Sequence, residues 1–476
     1  MHVTAHTIVN KKIPIYNCLN YLLKGKVTKI GIFLLICFIV FEMVLMISSF
    51  TRFSEKKQWL WARCVCWAGE LAVFLFVMIF PNVTFDFKYQ LCFVLLIIRL
   101  AGALVMYLIR RKTATGKRSK AGAVFGAVGS IVILAVSLVP AFIFTEYAGL
   151  ETSGEYEVAQ AAAILIDIDR VETFETDGSN REIPVHFYYP KADVIAQSSC
   201  PVVLFSHGAF GYYESNTSTY MELASNGYVV ISLDHPYHSF FTKDTDGKTI
   251  TVDPAFLQEV MYVNENNVPE KDIHDLSHQW LEIRTADIDC VLDIVEEAKQ
   301  SGAINDAWFI ESETEKSAIE SLLAMADVEK IGLMGHSLGG AASVSVGRYR
   351  NDVDAVIDLD GTMLGEQIGF EDGKYQYEEE PYPVPLFALD SESHYSEGQK
   401  YGNLYVNHYV LEHALDAKHE YIPGAAHMNF TDLPLFAPPL ASALGTGTVD
   451  ATACIETVNE MVLEYMNCYL MGSGES

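Results

Sequence analysis

The pentapeptide Gly335-His336-Ser337-Leu338-Gly339 has the residue types and spacing that can turn a serine hydroxyl into a nucleophile. The apolar run 328–334 before it predicts a short strand, and the small residues 340–346 after it predict the start of a helix. Strand, sharp turn and helix form a nucleophile elbow, in which glycines leave room for a turn that lifts the hydroxyl clear of the backbone. The pattern therefore predicts a serine hydrolase with Ser337 as its nucleophile.

A serine hydroxyl attacks near neutral pH only if a base removes its proton, so a histidine has to reach Ser337. His427 follows the last predicted strand, within 424–430, where a loop can fold over the elbow. This position keeps the chain order serine, acid, histidine that elbow hydrolases use. We therefore assign the base to His427.

Two aspartates compete for the acid that would orient this histidine. Asp360 ends the predicted strand 354–359, and Asp390 ends the next one, 384–389. Both strand ends should point to the same sheet edge as Ser337, so position alone leaves both open. Asp358 lies two residues before Asp360, deeper on the same strand face, and should reach His427 less easily.

The negative oxygen of a tetrahedral intermediate needs hydrogen-bond donors, and two backbone amides are suitably placed. Leu338 directly follows the nucleophile and can supply one N–H group. Ala209 follows the predicted strand 201–206 and the turn His207-Gly208, and it can supply the other. Phe210 is a near alternative to Ala209.

From about residue 150 onward, strands and helices alternate, which predicts an α/β domain with a mostly parallel sheet. Alternation at period two indicates an early antiparallel strand over 182–190. Arg284 and Asp287, three residues apart on an amphipathic helix within 281–299, are expected to form a structural ion pair. Further strands are predicted over 201–206, 228–234, 354–359, 384–389 and 420–422.

Several blocks in this domain together resemble the platelet-activating factor acetylhydrolases and their bacterial relatives, over roughly residues 180–440. The resemblance implies an α/β-hydrolase fold, a Ser-Asp-His triad, no metal and no cofactor, and hydrolysis of short acyl esters. It also selects Asp360 over Asp390, because the block Leu359-Asp360-Gly361 matches the one that bears the acid in the family. The matching blocks are 205–208, 223–228, 234–236, 335–340, 359–361 and 424–430.

The first third of the chain has a different composition and lies outside this resemblance. Residues 1–149 carry a net charge of +12 and residues 150–476 one of −41, which sum to the −29 of the whole chain. We therefore predict a membrane anchor over 1–149 and a catalytic domain over 150–476. Four apolar stretches are long enough to cross a bilayer, namely 30–50, 59–80, 91–108 and 121–144.

Charged residues within these spans and between them bear on packing and orientation. Arg99 is expected to pair with Glu42 or Glu70 and so to pack the bundle. The two loops between spans on one side hold nine Lys and Arg residues, against six on the side of the catalytic domain. Because basic loops stay in the cytoplasm, the catalytic domain is expected to face outward from the cell membrane. The nine are Arg52, Lys56, Lys57, Arg110, Arg111, Lys112, Lys117, Arg118 and Lys120, and the six are Lys11, Lys12, Lys24, Lys26, Lys29 and Lys88.

Composition also limits the partners. The strong acidity of the domain argues against binding to nucleic acid. The nine cysteines show no spacing typical of a metal site or a disulfide framework. The expected partners are the bilayer and a small ester or lipid substrate, and the sequence leaves the oligomeric state open.

Two classes of function fit these observations. The first is a membrane-anchored serine esterase or lipase-like hydrolase that works through an acyl-enzyme. The second is a membrane protein whose four helices bind or transport, with a degenerate hydrolase domain. The full set of nucleophile, acid, base and oxyanion donors favours the enzyme, although a peptidase, a thioesterase or a polyester hydrolase could use the same parts.

Overall fold

A computed structural model of the chain describes residues 29–79, 85–145, 147–191, 199–265 and 267–472. These residues form two compact units, one within 29–148 together with 435–440, the other within 149–434 together with 441–472. Residue 80, at the end of the second predicted span, lies outside the described residues. So do four of the counted lysines, Lys11, Lys12, Lys24 and Lys26.

The first unit contains four helices that are long and apolar enough to cross a membrane. Their outward faces expose large apolar side chains such as Phe33, Phe76 and Phe125. A helix that is apolar all round is typical of a membrane span. The four helices are Lys29–Phe50, Lys56–Met78, Phe87–Arg110 and Lys120–Ser137, and the short helix Val139–Ile143 follows them.

An ionic cluster lies among these four helices. Arg99 contacts both predicted partners, because its guanidinium donates to Glu42 and lies 3.1 Å from the Glu70 carboxylate. The indole of Trp67 donates to Glu42 at 3.0 Å, and Ser130 accepts from Arg99 at 3.2 Å. The cluster joins side chains from all four helices, as expected of buried charges that pack a bundle.

The second unit is built on a nine-stranded sheet with the strand order β13-β12-β9-β8-β3-β4-β2-β1-β7. The strands are β1 Val158–Val171, β2 Asn180–Pro190, β3 Cys200–Ser206, β4 Val229–Leu233, β7 Trp308–Phe309, β8 Ala326–His336, β9 Val353–Leu359, β12 Leu386–Ser391 and β13 Ala417–Ile422. Two hairpins lie outside this sheet, namely β5 Phe241–Lys243 with β6 Thr249–Thr251, and β10 Gln367–Glu371 with β11 Lys374–Tyr377.

The strands from β13 to β4 pair in parallel, and β2, β1 and β7 extend the sheet with antiparallel pairs. The predicted mostly parallel sheet with an early antiparallel strand is therefore confirmed. Parallel strands of this kind are covered by helices on both faces, which explains why their sequences are continuously apolar. Successive residues then point to opposite faces: Val202 and Leu204 pack in one core cluster, and Val203 and Phe205 pack in the other.

Helices cover both faces of the sheet. The helices of this unit are Thr217–Ser225, Pro254–Val263, Glu270–Ser301, Glu313–Met325, Leu338–Tyr349, Glu392–Tyr401, Val406–His413 and Ala451–Met466. The short helices Leu433–Phe436 and Pro438–Leu444 each have residues in both units. Strands β3, β8, β9, β12 and β13 end at the same edge because they run in parallel. This edge carries the residues that the sequence analysis assigned to chemistry.

Candidate active site

The nucleophile elbow has the predicted construction. Strand β8 ends at His336, Ser337 takes φ 56° and ψ −122°, and the helix Leu338–Tyr349 begins at the next residue. A non-glycine residue rarely adopts a positive φ, and such backbone strain clusters at functional sites. The close packing of the turn requires its glycines, because a Cβ on Gly335 would lie 2.3 Å from the Gly339 backbone.

The Asp360 carboxylate lies directly against the His427 ring, with 2.7 Å between Oδ2 and Nδ1. Asp360 follows the last residue of β9, also at positive φ, and its amide donates to the Leu389 carbonyl of β12 at 3.0 Å. The Ser337 amide makes the same kind of contact to the Leu359 carbonyl of β9. Each residue is thus fixed to the neighbouring strand, and the sheet brings both to one edge.

Hydrogen bonds to the side chains of Asn429 and His336 hold the loop that carries His427. The side-chain oxygen of Asn429 accepts from the amides of Ala426, at 3.0 Å, and Gly447, at 2.7 Å. The His336 ring contacts the His427 carbonyl through Nε2 at 3.1 Å. His336 therefore supports the loop of the candidate base, in line with a structural role beside the nucleophile.

The competing aspartate has a different partner. Asp390 lies beside His419 of β13, with 2.7 Å between Oδ2 and Nε2. Among the described residues, Asp390 makes no hydrogen bond to His427. Asp358 is fully buried, and among the described residues its carboxylate makes no hydrogen bond to His427. Of the three aspartates, only Asp360 is brought into contact with His427.

A second histidine touches the candidate acid, which sequence reasoning missed. His394 lies on the helix Glu392–Tyr401, and its Nδ1 lies 3.1 Å from Asp360 Oδ1. Burial alone would raise the pKa of Asp360, but His394 and His427 hold this pKa well below its usual range. Burial alone would lower the pKa of His394, but Asp360 outweighs it and raises the pKa to about 10. The positive charge of His394 thus keeps Asp360 ionised.

Asp360, Asp390 and His394 are also the group of described residues that could hold a cation, since their ligand atoms lie within 4.8 Å of one another. His394 supplies positive charge at this position, because its pKa of about 10 keeps the imidazole beside Asp360 protonated at neutral pH.

The candidate oxyanion donors lie on both sides of the nucleophile. Leu338 is the first residue of its helix, where backbone N–H groups lack a partner within the helix. A Cβ on Gly208 would lie 3.2 Å from the Ser337 Cβ, so the peptide that precedes Ala209 lies close to the nucleophile. The Phe210 amide donates to the His238 carbonyl at 3.1 Å, which leaves Ala209 as the better placed donor of this loop.

The prediction that Arg284 and Asp287 form an ion pair is wrong, because the two side chains make no such contact among the described residues. Asp287 accepts instead from Arg181, at 2.8 and 3.1 Å, from Arg170, and from His235 at 2.9 Å. The fork of Arg181 reaches Asp287 from β2 and occupies both carboxylate oxygens. Arg284 donates instead to the backbone carbonyls of His207 and Gly208.

Comparison with known proteins shows which family the chain belongs to. The family described as "Platelet-activating factor acetylhydrolase, isoform II" matches residues 179–472. A platelet-activating factor acetylhydrolase of Canis lupus familiaris is 23% identical over 276 residues, which cover 57% of this chain and 57% of the relative. A probable 1-alkyl-2-acetylglycerophosphocholine esterase of Arthroderma benhamiae is 22% identical over 58% of this chain and 62% of the relative.

The fold is also similar to a solved structure, the ferulic acid esterase from Streptomyces cinnamoneus, with a TM-score of 0.50 and 20% identity over 68% of this chain and 93% of the esterase. The match to the curated relatives spans less than two thirds of their length, whereas the family match covers more than half of this chain. The family match over residues 179–472 shows that the chain belongs to the family of platelet-activating factor acetylhydrolases, isoform II.

Proposed function

We propose that this protein is a membrane-anchored serine esterase that cleaves carboxylic esters through an acyl-enzyme. The observation that carries the proposal is the 2.7 Å contact between Asp360 and His427 at the sheet edge where Ser337 occupies a strained elbow. Membership of an acetylhydrolase family supports the same reaction class. Ser337 is then the nucleophile, His427 the general base and Asp360 the orienting acid.

The contact with Asp360 decides which ring nitrogen of His427 does the chemistry. Because Nδ1 faces the carboxylate, Nδ1 carries the proton and Nε2 is free to accept one. In the proposed first step, Nε2 takes the proton of the Ser337 hydroxyl while its oxygen forms a bond to the ester carbonyl carbon. Asp360 stays ionised and stabilises the imidazolium that forms.

The tetrahedral intermediate places a negative charge on the former carbonyl oxygen, where the amides of Leu338 and Ala209 are proposed to donate. His427 returns its proton to the leaving alcohol, the carbon–oxygen bond to that alcohol breaks, and an acyl group remains on Ser337. Water then repeats the sequence with His427 as base and releases the acid. These steps need no group beyond the side chains and amides named here.

For the substrate, we propose a short-acyl or lipid-like ester. The names of the curated relatives point to esters of this kind, and four apolar helices would keep the enzyme where lipids are abundant. A panel of p-nitrophenyl esters of increasing acyl length tests this class, with peptide and thioester substrates beside it. Preference for short acyl chains supports the proposal, and faster cleavage of peptides or thioesters would replace it.

We further propose that the catalytic domain faces outward, since the basic loops between spans outnumber the basic residues on its own side by nine to six. The helices then serve as an anchor in the cell membrane. This orientation is independent of the chemistry and is tested separately by thiol labelling.

The nucleophile is tested with a fluorophosphonate probe, which reacts covalently with activated serines. The wild type should be labelled, whereas Ser337→Ala should lose the label and at least about 10³-fold in kcat, because triad members act as a unit. Ser345→Ala is the matched control, since Ser345 lies on the same helix and its hydroxyl donates to the Ala341 carbonyl. Labelling of Ser337→Ala would contradict the proposal, and a wild type without label would favour a degenerate domain.

A further inference from the structure

The guanidinium of Arg284 lies under the loop that carries the candidate oxyanion donor Ala209. Its side chain is fully buried, on the helix Glu270–Ser301, and it donates through Nη1 to the His207 carbonyl and through Nη2, at 3.4 Å, to the Gly208 carbonyl. A buried cation is costly unless it is paired or solvated by polar groups. Here the carbonyls of one short loop provide that solvation.

The Gly208 carbonyl is held by two further donors. It accepts from the Gly211 amide at 3.0 Å and contacts the His207 ring through Nδ1 at 2.7 Å. Burial and Arg284 lower the pKa of His207 well below its ordinary value, so its ring is neutral. Since the His235 amide donates to His207 Nε2 at 3.3 Å, the single ring proton lies on Nδ1 and points to the Gly208 carbonyl.

The geometry of the peptide bond transmits this restraint to the candidate donor. The Gly208 carbonyl and the Ala209 N–H belong to one planar trans peptide unit, in which the two groups point in opposite directions. Whatever fixes the carbonyl oxygen therefore fixes the direction of the N–H. The same unit lies beside the nucleophile, because a Cβ on Gly208 would be 3.2 Å from the Ser337 Cβ.

Charge acts in the same direction as geometry. Burial lowers the pKa of Arg284 to about 9, against the opposing effect of Asp287, so the guanidinium stays protonated near neutral pH. A cation on the carbonyl side of a peptide unit draws electron density from it and makes its N–H a stronger donor. It also stabilises negative charge that develops on the other side of the unit, where preorganised dipoles matter most.

We propose that Arg284 is a positioning residue for ester hydrolysis, which orients and polarises the 208–209 peptide so that the Ala209 N–H binds the oxyanion. This inference rests on the proposed function. It assigns to Arg284 a role in the transition state, although in the described contacts the residue touches none of the side chains of Ser337, Asp360 and His427.

The test compares Arg284→Met with Arg348→Met in the full-length protein in detergent, with p-nitrophenyl acetate as substrate. Arg348 is a suitable control because it forms a partly buried ion pair with Glu366 and lies near the end of the helix that follows Ser337, with no described hydrogen bond to residues 207–209. We expect kcat of Arg284→Met to fall about 10²-fold while KM changes less than about threefold, because the lost interaction is made in the transition state. Affinity for a trifluoromethyl ketone, which forms a tetrahedral adduct with the serine, should fall in parallel.

Arg284→Lys keeps the charge but replaces the planar fork by a single ammonium, so its kcat should lie between those of the wild type and Arg284→Met. If Arg284→Met does not melt cooperatively, Arg284→Lys decides by the same criteria. Rates of fluorophosphonate labelling give a second readout that needs no substrate, since phosphonylation also places an oxygen in the oxyanion hole.

Two results would overturn the inference. One is a kcat and a labelling rate in the Arg284 variants within about threefold of Arg348→Met, and the other is a raised KM with unchanged kcat, which reports ground-state binding. Ser337→Ala separates this failure from that of the proposed function. If Ser337→Ala is inactive while the Arg284 variants keep the kcat of Arg348→Met, only the inference fails. If Ser337→Ala is active, both the inference and the proposed function fail.

Discussion

The exchange Asp360→Asn tests the assignment of the acid most directly, because it removes one charge without changing the shape of the side chain. The two oxygens of Asp360 have different neighbours: the Ser391 amide donates to Oδ1 at 2.5 Å, and His427 Nδ1 contacts Oδ2 at 2.7 Å. The asparagine oxygen should stay with the Ser391 N–H, since an NH₂ group there would face another donor. The new NH₂ group must then face His427.

This arrangement leads to a wrong tautomer of the base. An NH₂ group donates to His427 Nδ1 only if Nδ1 carries no proton, which moves the ring proton to Nε2 and prevents Nε2 from accepting the proton of Ser337. When the histidine of a serine triad takes the wrong tautomer, kcat falls about 10⁴-fold. That factor corresponds to about 5.4 kcal/mol of transition-state stabilisation.

Asp390→Asn is the matched control, since it makes the same exchange at the end of the next strand. It weakens the contact of Asp390 with His419, which should cost about 1–3 kcal/mol of stability and less than about tenfold in kcat. Both variants are compared as full-length protein in detergent, by melting temperature and by hydrolysis of p-nitrophenyl acetate. A larger loss of kcat in Asp390→Asn than in Asp360→Asn would refute the reasoning.

Two further predictions concern pH and topology. Because Asp360 raises the pKa of His394 to about 10 from an ordinary value of 6.5, its ion pair stabilises the fold fully below pH 6.5 and is lost as pH rises through 10. Between neutral pH and pH 10, the wild type should therefore lose at least about 1 kcal/mol more stability than His394→Gln; equal losses in thermal melts would show that the pair contributes nothing. For topology, a cysteine-free variant with Ser119→Cys should resist a membrane-impermeant thiol reagent in intact cells, and one with Glu320→Cys should react. The reverse pattern would place the catalytic domain in the cytoplasm.

The parts of the fold that could be predicted from the sequence depend on local pattern. The elbow at Ser337 needs glycines at fixed offsets between a strand and a helix, and the buried strands appear as short apolar runs. The pairing of Arg99 with Glu42 and Glu70 was also predictable, since charges within apolar spans have few other partners. For the elbow and the strands the constraint lies within the chain segment itself, and for Arg99 it lies in the small number of charges within the spans.

Other features depend on segments that are far apart in sequence. Spacing along a helix suggests that Arg284 and Asp287 pair, yet Asp287 is bound by Arg181, 106 residues away, and Arg284 by a loop 76 or 77 residues away. His394 lies in a segment without any motif of its own, and the block 424–430 pointed to His427 rather than to Asn429. The contacts of His394 with Asp360 and of Asn429 with Ala426 therefore follow only from the folded chain. Sequence periodicity predicts which face of a helix or strand is buried. It carries no information on which distant residue contacts that face.

The choice among the three buried aspartates at this sheet edge shows how the fold resolves what strand position left open. Burial and the neighbouring carboxylates raise the pKa of Asp358 well above its ordinary value, and burial raises that of Asp390 despite His419. Only Asp360 has its pKa held low, by two histidines on its two oxygens. A triad acid has to remain ionised while its histidine gains a proton, and a neutral carboxyl cannot stabilise an imidazolium in this way. The electrostatic environment therefore also favours Asp360, and His394 has the largest effect among the groups that lower its pKa.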